Sequence, residues 1–128
     1  IAQRLARKIC PDCKKEIKPP AEILKKVNEH LTAIPSVFQK DINIDKPKFY
    51  QGQGCSHCGN LGYQGRIAAA EVIKINRELR EIITRGANEN EIEEALKKQD
   101  FVNLTQDTLI KALAGLTTLD EVMRVSQI

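Results

Sequence analysis

The sequence predicts an α+β fold, in which a small subdomain with a short β-hairpin and one or two helices precedes a subdomain of four short helices. Two observations support this prediction: all four cysteines form two Cys-x-x-Cys pairs in the first half, and apolar residues recur at helical spacing after Asn76. The chain has 128 residues, of which 41% are hydrophobic and only 4% aromatic. This length fits one globular domain or two small ones, and a metal cross-link would support a core with so few bulky side chains.

The cysteine pairs have the spacing of metal knuckles. They read Cys10-Pro-Asp-Cys13 and Cys55-Ser-His-Cys58, and the second pair is flanked by glycines. Two thiolates separated by two residues can point from one tight turn at a single ion, and a second turn can complete a tetrahedron. The sequence therefore predicts a zinc-knuckle subdomain with Cys10, Cys13, Cys55 and Cys58 as the metal ligands. A redox-active Cys-x-x-Cys and unliganded cysteines remain as alternatives.

The elements before residue 76 follow from apolar spacing and prolines. In residues 1–9, Leu5 and Ile9 lie four apart, which predicts the end of a helix that begins upstream. Pro19-Pro20 opens a helix that continues to about Ile34, and a loop follows over 36–47. Strands are expected over 48–51 and 65–75, where they form a hairpin around the metal.

Four helices are predicted after this point, each from a capping signal or a stop signal. Asn76 caps the first and Gly86 ends it, while Asn88 caps the second. The third runs from about residue 102 to 114, and Thr118-Leu-Asp-Glu121 caps the last. The resulting domain prediction is 1–9 as the end of an upstream helix, 10–66 as the tetracysteine subdomain and 67–128 as the helical subdomain. No catalytic or further cofactor-binding residue is predicted.

Charge is concentrated at the predicted metal end. Residues 1–26 carry a balance of +5 and the remainder −2. Lys8, Lys14, Lys15 and Arg66 flank the cysteines and could offset the formal −2 charge of Zn²⁺ with four thiolates. The alternative is a free-standing zinc-ribbon module that binds nucleic acid. It is less favoured, because the net charge is only +3 and no aromatic residues are interleaved with the basic ones.

Several ordered motifs together are more specific than the cysteine spacing. Gln3-Arg-Leu-Ala-Arg7 leads into the first pair, Gly62-Tyr63-Gln-Gly65-Arg66 follows the second, and Gly115-Leu-Thr-Thr118 with Glu121-Val-Met-Arg124-Val lies near the end. This arrangement resembles the C-terminal part of type II secretion and type IV pilus assembly ATPases. The resemblance covers essentially all 128 residues.

The resemblance implies a region of a larger motor. In that family a RecA-like core that uses ATP and Mg²⁺ precedes a tetracysteine subdomain and a helical subdomain. The whole protein is a cytoplasmic homohexamer, peripheral to the bacterial inner membrane, that drives pilin or pseudopilin movement. The expected partners are therefore the ATPase core of the same polypeptide, neighbouring subunits and the inner-membrane platform protein.

Two features limit what the resemblance carries to this chain. The sequence has no Gly-Lys pair and hence no Walker A loop, so these 128 residues are expected not to hydrolyse ATP alone. Gln64 stands where a basic residue is common in the family, and Asp107-Thr108 replaces a usual Asp-Gly, which leaves subunit contacts at those positions open. Secretion, pilus assembly and competence systems are not distinguished.

Overall fold

The computed structural model describes residues 1–126 and contains two two-stranded ribbons and five α-helices within them. The α+β class is confirmed. The elements in chain order are β1 (Ala2–Ile9), β2 (Lys14–Ile17), α1 (Ala21–Thr32), β3 (Phe49–Gly52), β4 (Tyr63–Glu71), α2 (Arg77–Thr84), α3 (Glu89–Lys97), α4 (Leu104–Leu113) and α5 (Leu119–Ser126).

Each ribbon pairs strands that are far apart in sequence. β1 runs antiparallel to β4 from the Ala2–Glu71 pair to the Ile9–Tyr63 pair, with an irregularity just before Ile9. β2 runs antiparallel to β3, with Ile17 opposite Phe49. The two predicted strands therefore exist, but they pair with β2 and β1 rather than with each other. The sequence missed both partners because their side chains are mostly exposed and lack a clear apolar alternation.

The helix predicted for residues 1–9 is wrong, because these residues form β1. The spacing of Leu5 and Ile9 suggested a helical stripe, but Leu5 is 51% exposed. The buried positions are Ile9 and Ala6, and Ala6 lies opposite Ile67 and packs in a small cluster with Val125. Long-range pairing with β4 outweighs the local pattern here, as it can for any short segment of mixed propensity.

The main hydrophobic core joins the region between the cysteine pairs to the last two helices. It contains a set of buried apolar side chains from α1, β3, α4 and α5: Val27, Phe49, Leu109, Ala112, Leu119 and Val122, none more than 3% exposed. This core includes residues from both sides of the predicted 66/67 boundary. The division into residues 1–9, 10–66 and 67–128 therefore stays a prediction about the order of parts along the sequence.

The helices after residue 76 form close to their predicted positions. Asn76 and Asn88 cap α2 and α3 by accepting hydrogen bonds from the backbone N–H groups of Leu79 and Glu91. α4 begins at Leu104, later than predicted, because Asn103 is the cap residue. α2 and α3 pack on each other around buried leucine and alanine side chains and have a small core of their own.

α5 fastens the outer edge of β1 through a buried carboxylate. Glu121 is 1% exposed and accepts hydrogen bonds from the backbone N–H of Arg7 at 2.7 Å and from the Arg7 and Arg124 guanidinium groups. Arg124 also donates to the Leu5 carbonyl at 2.8 Å. Burial acts to raise the pKa of Glu121, but these donors outweigh it and hold the pKa near 2.

α4 fastens the outer edge of β4 in a similar way. Asp107 accepts a hydrogen bond from the Ala70 N–H at 2.9 Å, and Lys111 donates to the Ala68 carbonyl at 2.8 Å. Asp107 and Lys111 also form an ion pair one helical turn apart. Side chains from two helices thus satisfy both edges of the β1–β4 ribbon, which would otherwise present unpaired backbone groups.

Across residues 1–126, the helices are too short or too polar for any of them to span a lipid bilayer.

Candidate metal centre

The cysteines lie where the two ribbons meet. β1 leads into the first pair and β2 leaves it, while β3 leads into the second pair and β4 leaves it. Because β1 pairs with β4 and β2 with β3, each ribbon has one strand from each knuckle. This topology brings together cysteines 45 residues apart in the sequence.

The four sulfur atoms have the spacing of a tetrahedral metal site. All four Sγ atoms lie within 4.8 Å of one another. The Cys10–Cys55 and Cys55–Cys58 Sγ distances are 3.7 Å, and the Cys13–Cys58 distance is 3.8 Å. A tetrahedron with Zn–S bonds of about 2.3 Å has S–S edges of about 3.8 Å. The distances far exceed a disulfide bond of about 2 Å, so the four thiols are free and could bind a metal ion.

Backbone N–H groups point at the sulfur of Cys58. The N–H groups of Cys55 and Gly62 each donate to this sulfur at 3.3 Å, and Gly54 donates to Cys13 at the same distance. Burial acts to raise the pKa of Cys58, but the donated hydrogen bonds outweigh it and lower the pKa to about 6. A thiolate is the form that binds metal, so this loop favours the ligand state.

In the first cysteine pair, Cys10 and Cys13, the pKa values are raised rather than lowered. Burial raises the pKa of Cys10 to about 11 and also raises the pKa of Cys13. Both side chains are at most 9% exposed. Without a cation these two residues remain thiols, and a metal ion binding here would displace their protons.

The two knuckle loops approach at glycine backbones. A Cβ on Gly52 would lie 2.0 Å from the carbonyl oxygen of Gly62, well inside any permitted contact. Gly62 also accepts a hydrogen bond from the Cys10 N–H, and Gln53 donates one to the Cys13 carbonyl. The loops therefore need glycine at these two positions so that the cysteines can converge.

Three polar side chains near the cysteines make contacts of different kinds. Lys14 donates to the Gly115 carbonyl at 3.4 Å and lies over the Tyr50 ring. His57 is exposed, and its Nδ1 lies 3.5 Å from the Asp12 carboxylate. The amide oxygen of Gln64 lies 3.8 Å from Cys10 Sγ.

Sequence reasoning did not identify the contacts that join the metal end to the helices. The Arg7 guanidinium lies 4.1 Å from the Tyr63 ring centroid, and the Tyr63 hydroxyl hydrogen-bonds to Thr118 at 2.9 Å. Thr117 donates to the Arg7 carbonyl at 2.7 Å. These residues appeared in the resemblance motifs, but no local pattern pairs Arg7 with residues over 100 positions away.

The fold and the cysteine geometry define a class of protein: a small α+β region organised around a candidate four-cysteine metal centre. Comparison with known proteins assigns the family. The type II/IV secretion system protein family matches residues 1–124, and the chain belongs to it.

The relatives include both pilus assembly and secretion proteins. The chain is 42% identical over 127 residues to the type IV pilus assembly ATPase PilB of Pseudomonas aeruginosa and 36% identical over 123 residues to PilB of Thermus thermophilus. It is 31% identical over 127 residues to the type II secretion system ATPase E of Vibrio cholerae. These matches cover 99%, 96% and 99% of the chain, respectively.

The chain spans only a small part of these relatives. The matched region amounts to 20% of the P. aeruginosa protein, 13% of the T. thermophilus protein and 23% of the V. cholerae protein. Most of the length of these relatives therefore has no counterpart in the 128 residues.

Proposed function

We propose that this chain is the C-terminal metal-binding and helical region of a hexameric motor ATPase that drives pilin or pseudopilin assembly. The spacing of the four cysteine sulfurs is the observation that carries the proposal, together with family membership. The motor is cytoplasmic and peripheral to the inner membrane. Its partners are the ATPase core of the same polypeptide, neighbouring subunits and an inner-membrane platform protein.

The metal in this proposal is Zn²⁺, held by Cys10, Cys13, Cys55 and Cys58. Four thiolates in a tetrahedron are typical of structural zinc sites, because no coordination position is left for water or substrate. Zinc would tie the ends of both ribbons together across the 41 residues between the pairs. ATP and Mg²⁺ would bind in the core, and the 128 residues supply no Walker A loop.

The role of these residues is to position the helical region relative to the core. The cysteines hold the two knuckles together, and the Gly52–Gly62 contact allows the knuckles to approach each other. Arg7 contacts both the Tyr63 ring and Glu121, and so connects the knuckles to α5. The metal site supports the motor without touching nucleotide.

The test compares two neighbouring substitutions in the full-length motor. We expect Cys55→Ser to reduce zinc content, thermal stability and pilin or pseudopilin assembly, while ATP affinity stays the same. Ser56→Ala is the matched control, because Ser56 is exposed in the same turn and should change none of these. Wild-type protein that folds and assembles pili without zinc would refute the proposal.

The nucleic-acid alternative has its own test. A zinc-ribbon module would bind DNA or RNA at low salt and lose affinity steeply as salt rises. We expect negligible binding at low salt. Tight, salt-sensitive binding would favour the alternative.

A further inference from the structure

We propose that α2 and α3 form a hinged arm, which swings relative to the rest of the chain and closes a groove on one side of its hinge. The arm comprises residues 76–101, and the body comprises the two ribbons with α1, α4 and α5. This motion goes beyond the proposed function and requires neither a metal ion nor an ATPase core.

The arm is stabilised by contacts within itself. Its hydrophobic cluster is built from buried and partly buried arm residues: Leu79, Ala95, Leu96, Ile82, Ile92 and Phe101. Three ion pairs also have both partners in the arm: Arg77–Glu81, Arg85–Glu91 and Lys98–Glu78. Because its own contacts hold the two helices together, we expect the arm to move as one unit.

Two short connectors join the arm to the body. Residues 72–75 lead into the arm from β4, and residues 102–103 return from it to α4. Neither connector belongs to a helix or a strand, and Val72, Ile73 and Ile75 are 58%, 42% and 50% exposed. Hinges are typically formed by a few residues of this kind at the ends of helices and strands.

Open grooves separate the arm from the body on both sides of the connectors. The first, called the Phe38 groove, has a volume of about 570 Å³ and lies between Phe38 and Ile110 of the body and Phe101 of the arm. The second, called the Ala33 groove, has a volume of about 480 Å³ and lies between Ala33 and Gln106 of the body and, again, Phe101. Two units that are packed together so incompletely are expected to move relative to each other.

A swing that closes one groove opens the other. Val72 and Lys74 line the Phe38 groove, whereas Ile73 lines the Ala33 groove. This alternation is that of an extended segment, in which successive side chains point to opposite sides. The connector therefore runs between the two grooves, as does Phe101, which lines both.

An unpaired donor favours closure of the Phe38 groove. Within residues 1–126, the side-chain nitrogen of Gln99 is buried and has no hydrogen-bond partner, which is unfavourable. Gln99 of the arm and Asp107 of the body both line the Phe38 groove. Asp107 accepts from Ala70 and Lys111 at one oxygen, Oδ2, and the second oxygen of a carboxylate accepts hydrogen bonds equally well. Closure on this side therefore offers Gln99 an acceptor and covers Phe38, which is 45% exposed.

Residual dipolar couplings of the backbone amides test whether the arm moves. They are measured by NMR on the isotopically labelled chain in a weakly aligning medium. One alignment tensor is fitted to α2 and α3, and another to β1, β4, α4 and α5. We expect the arm to give the tensor of smaller magnitude, because swinging on timescales up to milliseconds averages its couplings. A single tensor that fits both sets of amides would overturn the proposal.

A matched pair of substitutions tests the direction of the swing. Ala70→Phe places a bulky side chain in the Phe38 groove, and Ala33→Phe places the same side chain in the Ala33 groove. We expect Ala70→Phe to raise the tensor magnitude of the arm towards that of the body, and Ala33→Phe to leave it as in the wild-type chain. The reverse result, or an equal effect of both substitutions, would contradict closure of the Phe38 groove.

A second pair tests the part of the unpaired donor. Gln99→Met keeps the length of the side chain but removes the donor, so that closure no longer gains a hydrogen bond. We expect this variant also to raise the tensor magnitude of the arm, whereas Gln51→Met, at an exposed position on β3, should change nothing. Couplings of the body that match the wild-type chain show that each variant is folded. A folded Gln99→Met variant with an unaltered arm tensor would refute closure driven by Gln99.

Discussion

Two regions of this chain are stabilised by different means. The metal end consists of the two knuckles with their four cysteines, and the helical core is the main hydrophobic core formed by α1, β3, α4 and α5. At the metal end the buried side chains are mainly sulfurs, which pack against one another and accept backbone hydrogen bonds. The helical core buries six apolar side chains from four elements. On the zinc proposal a cation holds the first arrangement together, while the second is stabilised by the removal of apolar surface from water.

The two regions therefore differ in what they require of the amino-acid sequence. The metal end depends on a few residues that cannot be exchanged, such as Cys58 and the Gly52–Gly62 contact. The helical core depends on total apolar volume, which similar side chains can supply in several combinations. Substitutions that test the two regions should therefore have separable effects.

Removal of the metal should have the largest effect. Structural zinc sites contribute apparent free energies of about 10–16 kcal/mol. We expect a zinc chelator to speed hydrogen exchange at the backbone amides of both knuckles, while the amides of α4 remain protected. Restoring zinc should reverse the change. Loss of protection in α4 at the same chelator concentration would show that the two regions are one cooperative unit.

Truncation of the helical core should have the converse effect. Leu109 is fully buried, and replacing such a leucine by alanine costs about 2–5 kcal/mol. We expect Leu109→Ala to lower the free energy of unfolding in a denaturant titration by this amount and to leave the zinc content per chain unchanged. Leu61→Ala is the control at the metal end, since Leu61 is 75% exposed and its loss should have little effect. Zinc loss in folded Leu109→Ala protein would contradict the separation.

The link between the regions should have an intermediate, pH-dependent effect. Removing one partner of a buried ion pair costs about 3–5 kcal/mol, and Glu121→Gln should lie at the low end because Arg7 and Arg124 are half-exposed. The pKa of Glu121 is near 2, below its ordinary value of 4.5. Its stabilising contribution is therefore complete above pH 4.5 and is lost as the pH falls towards 2.

The measurement for this link is the difference in unfolding free energy between wild-type protein and Glu121→Gln as a function of pH. The difference should be largest above about pH 5 and shrink at lower pH. Because metal loss at low pH affects both proteins, it cancels in the difference. Glu81→Gln is the control, since Glu81 pairs with Arg77 on an exposed surface and should contribute little. A difference independent of pH would contradict the role of the carboxylate charge.

Loss of a helix cap should have the smallest effect. Asn103 accepts a hydrogen bond from the Gln106 N–H, and the Gln106 side-chain oxygen accepts one from the Asn103 N–H. We expect Asn103→Ala to cost about 1 kcal/mol in thermal or chemical unfolding and to leave zinc content unchanged. Asn90→Ala, in the first turn of α3 and exposed, should be neutral. An equal cost at both positions would remove the case for a specific cap.

The sequence predicts best those features that are encoded locally. The Cys-x-x-Cys spacing identified all four members of the sulfur cluster, and Asn76 and Asn88 marked the starts of α2 and α3. In each case the signal lies within four residues of its partner. The cysteine spacing predicts the ligands but not which metal ion they bind. Identifying the ion also requires a measurement of its binding.

Features that depend on distant partners were not predictable. β1 has exposed side chains at six of its eight positions, so only its pairing with β4 distinguishes it from a helix end. The sequence predicts a capping box between Thr118 and Glu121. Thr118 accepts a hydrogen bond from the Glu121 N–H, but the Glu121 carboxylate binds Arg7 across 114 residues. A single sequence holds no signal for such a contact, because it depends on how the ribbons and helices pack.

The measurement that tests the central claim most directly is zinc K-edge X-ray absorption on the purified chain, together with its zinc content. The account predicts one zinc ion per chain with four sulfur ligands at about 2.3 Å. Nitrogen or oxygen atoms among the ligands, or a folded chain that contains no zinc, would contradict it.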